Sequence, residues 1–441
     1  MDAKLVVIPR LLPGAAFFMY FAGTAGLYFW GPWTYPMPEG SGRLVAFLIA
    51  VHVAFGAGYF GGSRGRPRAS RTLQVDRVVL AAAAVELALL FPTSALYTGR
   101  WIPDPFTAAR DFGAAYSGSL AVRLESTPYV NYLRMLAAPL LAAATPLAAF
   151  YWRQLRVHTK VLFVASIAGT ITLSVAMGAN AGAVHWLVLV PWFVLAGHLS
   201  GVQRVGRKAW IVSGITAAVS LALLAVFFSA TMVQRRGSYA TAGYIAGLGA
   251  YIGDTATPVL DPVSGVLKSP HAARPAARIG FDGLAAYLTQ GYYAVYLSLQ
   301  LPFVPCYGVG NSVFLLRQVI RLTGEVRLLE CPYPERLKGH GWFPSRFWAS
   351  IYPWIASDVT FPGTVVVVFL IAWAFGRVWL DVLGGANPYA VALFGQLLLT
   401  LYYFPAHNKT MHSGEGVIAF VVLFGSWLLT RRRHVSRADG S

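Results

Sequence analysis

The residues best suited to chemistry are arginines, five of which follow one another in a polar stretch: Arg317, Arg321, Arg327, Arg336 and Arg346. Arg317 and Arg321 are four residues apart, so a helix would carry both on one face. The planar guanidinium group binds two phosphate oxygens at once. With Arg123 and Arg278, the set predicts a basic cavity for a phosphate or pyrophosphate. The alternative is an amphipathic helix that lies on lipid headgroups.

Two residues of this region are candidates for acid–base catalysis. Asp358 precedes an apolar segment that begins near position 361. Its carboxylate is a candidate general base, or alternatively the cap of the helix that follows. His340 lies between two glycines and beside an aromatic pair, where it is a candidate acid or base or a structural side chain. His407 and Lys409, in a later loop, are further polar candidates.

Aromatic and glycine-rich segments provide candidate binding groups. Tyr292 and Tyr293 have ring faces on which sugars can stack, although anchoring at the membrane interface explains many such tyrosines. GlyValGlyAsn at 308–311 permits a tight turn and a close backbone approach, with Asn311 as its polar side chain. A plain loop is the alternative interpretation of this glycine pattern.

Neither a metal nor a cofactor is expected. The two cysteines, Cys306 and Cys331, belong to no CxxC pattern or cysteine–histidine cluster. If both are outside the cytoplasm they can pair, because that compartment is oxidising. The sequence contains no Walker loop, HExxH or GxSxG motif. We therefore expect chemistry that needs no nucleotide donor.

The composition places these groups in a membrane protein. The 441 residues are 56% hydrophobic and 12% charged, with a mean hydropathy of +0.57, whereas soluble proteins carry about 25% charged residues. Continuous apolar runs indicate an all-α, polytopic transmembrane bundle rather than a barrel. The net charge of +18 fits basic loops that face anionic lipids, and no nucleic-acid partner is expected.

Apolar runs of suitable length predict about ten spans, and at most twelve. We place the ten near 15–30, 44–62, 77–96, 134–151, 160–178, 181–199, 209–230, 361–380, 387–405 and 416–430. Short arginine-rich loops follow alternate spans, which predicts that they and both termini face the cytoplasm.

The span pattern divides the chain into three regions. Residues 1–230 hold the first seven spans and a long outer loop at 97–133, and residues 361–441 hold the last three spans and a basic tail. The region between them, 231–360, should begin and end outside. It contains eleven Lys and Arg between Arg235 and Arg346. Its apolar piece at 284–304 is rich in Tyr and Gln, which predicts a re-entrant or interfacial helix.

Four segments together resemble bacterial O-antigen polymerases of the Wzy type, which join oligosaccharide repeat units. They are the outer-loop sequence AlaTyrSerGlySerLeuAlaValArg at 115–123, the tight hairpin GlyAlaAsnAlaGly at 178–182, the pair formed by 283–293 and 308–312, and SerAspValThrPheProGly at 357–363. The resemblance covers most of the chain.

The resemblance implies an inner-membrane glycosyltransferase in a bacterium. It would transfer a growing glycan from undecaprenyl pyrophosphate to the next lipid-linked repeat unit on the periplasmic face. A chain-length regulator protein is a further implied partner. An O-antigen ligase would run the same chemistry on another acceptor. A lipid-linked glycan transporter or flippase is the alternative from another class. Apart from Glu86 in the third span, a functional or helix-packing candidate, the charge of this chain lies in loops rather than at mid-membrane.

Overall fold

The structure, a computed structural model, describes residues 3–33, 35–70, 73–125, 129–179, 181–204, 276–342 and 347–431, with isolated positions between 206 and 222. The described residues form helices, and none of them forms a β-strand. The predicted all-α class is therefore confirmed. The predicted span at 209–230 and Arg346 lie outside the described residues.

Eight α-helices lie within the described residues of the first half of the chain. They are α1 (Ala3–Trp30), α2 (Gly42–Gly62), α3 (Val75–Thr98), α4 (Pro105–Arg110), α5 (Phe112–Glu125), α6 (Tyr129–Phe150), α7 (Val157–Ala176) and α8 (Ala181–Leu199). The second half forms α9 (Ala276–Ser298), α10 (Val313–Thr323), α11 (Tyr333–Arg336), α12 (Ile351–Leu383), α13 (Pro388–Tyr403), α14 (Lys409–His412) and α15 (Gly414–Thr430). Short 3-10 turns cover Val326–Glu330 and Leu337–His340.

Seven of the described helices are long and apolar enough to cross a membrane: α1 from Pro9, α2, α3, α6, α7, α8 from Gly182, and α12. The protein is therefore a multi-pass membrane protein. The apolar helices α13 and α15 are shorter and coincide with the last two predicted spans. The total of ten spans remains a prediction.

The basic loops predicted to share one side do meet at one end of the bundle, which we call the basic end. The backbone N–H of Arg68 donates to Asp381 Oδ1 at the end of α12 (2.8 Å). The hydroxyl of Tyr151 donates to the carbonyl of Gly385 (3.3 Å). A side chain at Gly385 would touch Val202. Three loops far apart in sequence thus surround the end of α12.

The polar segment packs at the opposite end, which we call the disulfide end because Cys306 and Cys331 are bonded there, with 5.6 Å between their Cα atoms. This pairing confirms the sequence prediction. Helix α9 is not among the apolar spans, and from Asp282 to Ser298 most of its side chains are buried. Trp33 Nε1 donates to the carbonyl of Asp282 (2.7 Å). The described part of α9 is thus covered by protein.

Helix α12 is two helices joined at a kink. Thr360 has φ 67° and ψ 169°, a backbone conformation that is essentially restricted to glycine. Pro362 follows and cannot donate an N–H to the preceding turn. The piece before the kink is buried at the disulfide end, whereas the piece from Phe361 to Leu383 packs along α2. The predicted span at 361–380 corresponds to this second piece.

Candidate functional site

Arg317 and Arg321 line one cavity at the disulfide end. Its volume is about 520 Å³, within the range of small-ligand sites. The lining consists of Val313, Phe314, Arg317, Gln318, Ile320, Arg321, Leu329 and His412. The cavity thus has an apolar wall and three groups that carry or accept positive charge.

Helix α10 holds both arginines because its ends are well defined by the sequence. The Ser312 side chain accepts a hydrogen bond from the N–H of Leu315 (3.2 Å), which caps the first turn. Gly324 ends the helix with φ 74°, where a residue without Cβ is favoured. The predicted i,i+4 relation of Arg317 and Arg321 is therefore confirmed, and both line the same cavity.

The two guanidinium groups differ in their partners. Arg321 Nη1 donates to the hydroxyl of Tyr132 on α6 (3.1 Å). Arg317 is exposed and forms no hydrogen bond or ion pair with the described part of the chain. Neither cation is neutralised by a described carboxylate. The cavity therefore carries two positive charges that an anionic ligand can satisfy.

A pair of neighbouring histidines lies beside these arginines. The His412 ring lies edge-on to Trp354 (centroids 4.4 Å apart) and to His407 (4.3 Å). Burial lowers the pKa of His412 well below its ordinary value, and His407, Lys409 and Arg317 lower it further. Burial and Lys409 lower the pKa of His407 to about 3. Both imidazoles are therefore neutral at pH 7.

His407 is among the candidates predicted from the sequence, whereas His412 is not. Nε2 of His412 is buried and has no hydrogen-bond partner among the described residues. The run HisAsnLysThrMetHis, placed between two apolar segments, was the available signal. Nothing in that run shows that α10, almost a hundred residues earlier, lies against it.

Asp358 holds a loop rather than facing the cavity with a free oxygen. Its Oδ1 accepts the N–H groups of Gly308 (3.0 Å) and Gly310 (2.9 Å), and its Oδ2 accepts that of Asn311 (2.8 Å). The turn requires positive φ at Tyr307 and Gly308. Three amides thus converge on one carboxylate, an arrangement that fixes the start of α10.

The same loop positions the histidines. Asn408 Nδ2 donates to both the backbone oxygen and Oδ1 of Asn311, each at 2.7 Å. The Ser312 hydroxyl donates to the carbonyl of Met411 (2.6 Å). Asp358, the 308–312 loop and the 407–412 loop therefore form one hydrogen-bonded chain. This chain sets the arginine face of α10 against His412.

Tyr292 and Tyr293, the aromatic pair predicted to bind sugars, lie in the protein core and not in the cavity lining. Tyr292 is fully buried, and its hydroxyl shares a hydrogen bond with Thr24 Oγ1 (2.8 Å). Tyr293 is buried and stacks on Tyr35 (centroids 5.3 Å apart), with Trp342 edge-on at the same separation. Protein side chains thus occupy the ring faces that the sequence analysis assigned to sugars.

Arg336 and His340 are not among the described residues that line the cavity. Arg336 stacks on Tyr333 (4.6 Å) and donates from Nη1 to the carbonyl of Pro302 (2.9 Å). His340 ends a 3-10 turn and is half-buried. Arg123 and Arg278 lie in α5 and α9, and their side chains are outside what the structure describes.

The intramembrane acid Glu86 belongs to an ion network. Arg134 Nη1 lies 3.5 Å from Glu86 Oε1, and its Nε and Nη2 lie 3.0 and 3.3 Å from the two oxygens of Glu415. The Thr170 hydroxyl also donates to Glu86 (3.3 Å). Charges at this depth persist when they are paired. The network joins α3, α6 and the first turn of α15.

Comparison of the chain with protein-family models, with curated proteins and with solved structures yields no match in any of the three.

Proposed function

We propose that the protein is a membrane glycosyltransferase that uses a polyprenyl-pyrophosphate-linked glycan as donor, acting as a repeat-unit polymerase at the disulfide end. The observation that supports it best is the cavity lined by Arg317, Arg321 and His412. Its apolar wall of Val313, Phe314, Ile320 and Leu329 suits an isoprenoid chain. The two arginines suit the pyrophosphate next to that chain.

In the proposed reaction a hydroxyl of the acceptor sugar attacks the anomeric carbon of the donor glycan. The bond between that carbon and the pyrophosphate oxygen breaks, and polyprenyl pyrophosphate leaves with the electron pair. Arg317 and Arg321 stabilise the negative charge that develops on the leaving group. His412, neutral because of its burial, accepts a hydrogen bond from the attacking hydroxyl and orients it, and the proton of that hydroxyl passes to water as the new bond forms.

The group proposed to contact the attacking hydroxyl differs from the sequence-based candidate for a physical reason. Both oxygens of Asp358 already accept backbone N–H groups, so this carboxylate serves the proposed reaction as a positioning group. His340 stays a candidate from the sequence without a cavity contact. The disulfide end would face the periplasm, since a Cys306–Cys331 bond persists in an oxidising compartment.

Conservative arginine variants test the proposal. Lysine keeps the charge but loses the bidentate fork, so Arg317→Lys and Arg321→Lys should each weaken transition-state stabilisation by about 2–4 kcal/mol and leave little polymer. The matched control is Arg327→Lys, an exposed arginine of the same segment outside the cavity. Glycan-length gels on cells with equal amounts of inserted protein give the readout. Normal long chains from both cavity variants would remove α10 from the active site.

Cells that lack the protein separate the polymerase from its alternatives. A missing polymerase leaves the carrier with single repeat units on the outer leaflet. A missing ligase leaves long polymer on the carrier, and a missing flippase leaves single units on the cytoplasmic leaflet. Mass spectrometry of extracted lipid-linked glycans, combined with leaflet-specific labelling, distinguishes the three outcomes.

A further inference from the structure

Five arginines belong to the segments that meet around one buried carboxylate at the basic end, far from the cavity just described. The carboxylate is that of Asp381, and the arginines, which we call the basic-end cluster, are Arg64, Arg66, Arg68, Arg377 and Arg431. Arg68, Asp381 and Arg431 all lie close enough to Arg377 to act on its charge. Five positive groups and one negative group leave a net charge of +4.

Asp381 accepts hydrogen bonds from three donors, and only one of them is an arginine side chain. It is fully buried, and its Oδ1 accepts the backbone N–H of Arg68 (2.8 Å). Its Oδ2 accepts Trp427 Nε1 and Arg431 Nε, each at 2.9 Å. The carboxylate therefore neutralises Arg431, whereas the other four guanidinium groups keep their charge.

The backbone that carries these arginines is fixed in place. Arg377 donates from Nη1 to the carbonyl of Arg64 (3.0 Å) and from Nη2 to that of Arg66 (2.8 Å). Asn387 Nδ2 donates to the carbonyl of Arg68 (3.1 Å). These bonds use main-chain oxygens, and the guanidinium group of Arg64 itself stacks on the ring of Phe60 (4.0 Å to its centre). Arg68 and Arg431 are thus held near Arg377, and Arg64 and Arg66 lie on the same fixed loop.

Arg431 keeps one donor that no described residue satisfies. Its side chain is only 9% exposed and stacks on Trp427, with 4.4 Å from Cζ to the ring centre. Nη2 is buried and has no hydrogen-bond partner among the described residues. A buried guanidinium N–H without a partner is unfavourable. An anion at the cluster would relieve both this deficit and the repulsion among the arginines.

The depth of the cluster identifies the anion. It lies where α2, α12 and α15 end, and the ends of spans are at the level of the lipid headgroups. Basic pockets between helices at this level bind anionic headgroups. We infer that the basic-end cluster binds the phosphate group of an anionic phospholipid. Free phosphate shares this chemistry and is distinguished by experiment.

Lipid titration of the purified full-length protein tests the inference. Phosphatidylglycerol, phosphatidylcholine and inorganic phosphate are added separately, and binding is followed by native mass spectrometry and by the unfolding temperature. The double variant Arg64→Gln/Arg68→Gln removes two charges and keeps the backbone hydrogen bonds. Each arginine near the membrane surface contributes about 1 kcal/mol to the binding of an anionic lipid. Phosphatidylglycerol should therefore bind about 30-fold more weakly to the double variant, and about fivefold more weakly to Arg68→Gln alone.

The matched control is Arg153→Gln/Arg204→Gln, two exposed arginines in other loops at the same end. It should bind phosphatidylglycerol as the unaltered protein does. Equal losses in both double variants, or no preference over phosphatidylcholine, would overturn the site. If inorganic phosphate alone stabilises the protein as much as the lipid, the lipid assignment is wrong. All these readouts are independent of glycan synthesis and of the cavity at the disulfide end.

Discussion

At the scale of single residues, the position of Asp358 in the sequence is compatible with two different roles. It stands before an apolar helix, as a cap or a catalytic base would. In the structure it accepts three main-chain N–H groups from a loop some fifty residues earlier. Its contribution is the position of α10, and through α10 the position of Arg317 and Arg321.

Asp358→Asn should therefore destabilise the protein as well as reduce its activity. The amide would place an NH₂ group against one of the three N–H donors, and a hydrogen bond to a charged group contributes about 1.5–3 kcal/mol. We expect a loss of about 2–3 kcal/mol of stability, with faster hydrogen exchange at Gly308, Gly310 and Asn311. Unchanged exchange together with lost polymer would instead assign Asp358 a direct catalytic role.

The lowered pKa of His407 predicts that the folded protein loses stability in acid. This pKa is about 3 in the folded protein and 6.5 when unperturbed, so below pH 6.5 the unfolded chain binds a proton that the folded protein does not. The stability is complete above pH 6.5 and is lost progressively as the pH falls toward 3, by about 2 kcal/mol at pH 5.

Unfolding temperatures at pH 7.5 and pH 5 check this dependence. His407→Gln should reduce the difference between the two values, and His412, whose pKa is lowered in the same direction, should account for part of the remainder. The exposed His158 provides the control, because His158→Gln should leave the difference unchanged. Equal acid sensitivity in all three proteins would contradict the role given to His407.

At the scale of elements, the most extensive helix pair is α2 with α12, and glycines allow its close approach. A side chain at Gly62 would overlap the carbonyl of Trp373, and one at Gly376 would lie 2.6 Å from the carbonyl of Tyr59. Small residues commonly mediate such contacts between membrane helices. Helix α12 carries Asp358 near its first end. Its other end contacts the arginine loop that follows α2.

Gly62→Ala should consequently destabilise the protein by about 2–3 kcal/mol, since the added methyl group forces the helices apart. The neighbouring Gly61 is the control: a side chain there would find its nearest atom, Cδ1 of Trp373, at 3.7 Å, an ordinary contact. Unfolding temperatures in one detergent compare the two variants. A smaller effect for Gly62→Ala than for Gly61→Ala would show that the helix pair separates easily.

At the scale of the whole molecule, two independent features orient the bundle in the same direction. Arginine-rich loops meet at one end, which the positive-inside rule places in the cytoplasm. The bonded Cys306 and Cys331 lie at the other end, and disulfides persist outside the cytoplasm. The proposed active site would then face the periplasm.

Cysteine labelling in intact cells checks this orientation. A cysteine at Arg327 or Lys338, exposed at the disulfide end, should react with an impermeant maleimide. A cysteine at Arg66 or Arg153, exposed at the basic end, should react only after the membrane is opened. Reaction of both sets from the same side would contradict the topology.

The sequence by itself determined the class of the protein and much of its layout. Apolar runs of span length allow few structures other than helices in a bilayer, because every backbone polar group must be satisfied internally. For the same reason, nine of the ten predicted spans coincide with described helices. The i,i+4 spacing placed Arg317 and Arg321 on one face, since that relation depends only on the helix period.

Only the tertiary structure decided which residues meet. It paired the arginines of α10 with His412, gave Asp358 to a distant loop and packed Tyr292 and Tyr293 into the core. It also gathered the basic-end cluster around Asp381. These contacts join segments from about 50 to more than 300 residues apart. Side-chain periodicity reports which face of a helix is apolar, and it carries no information about which partner that face will contact.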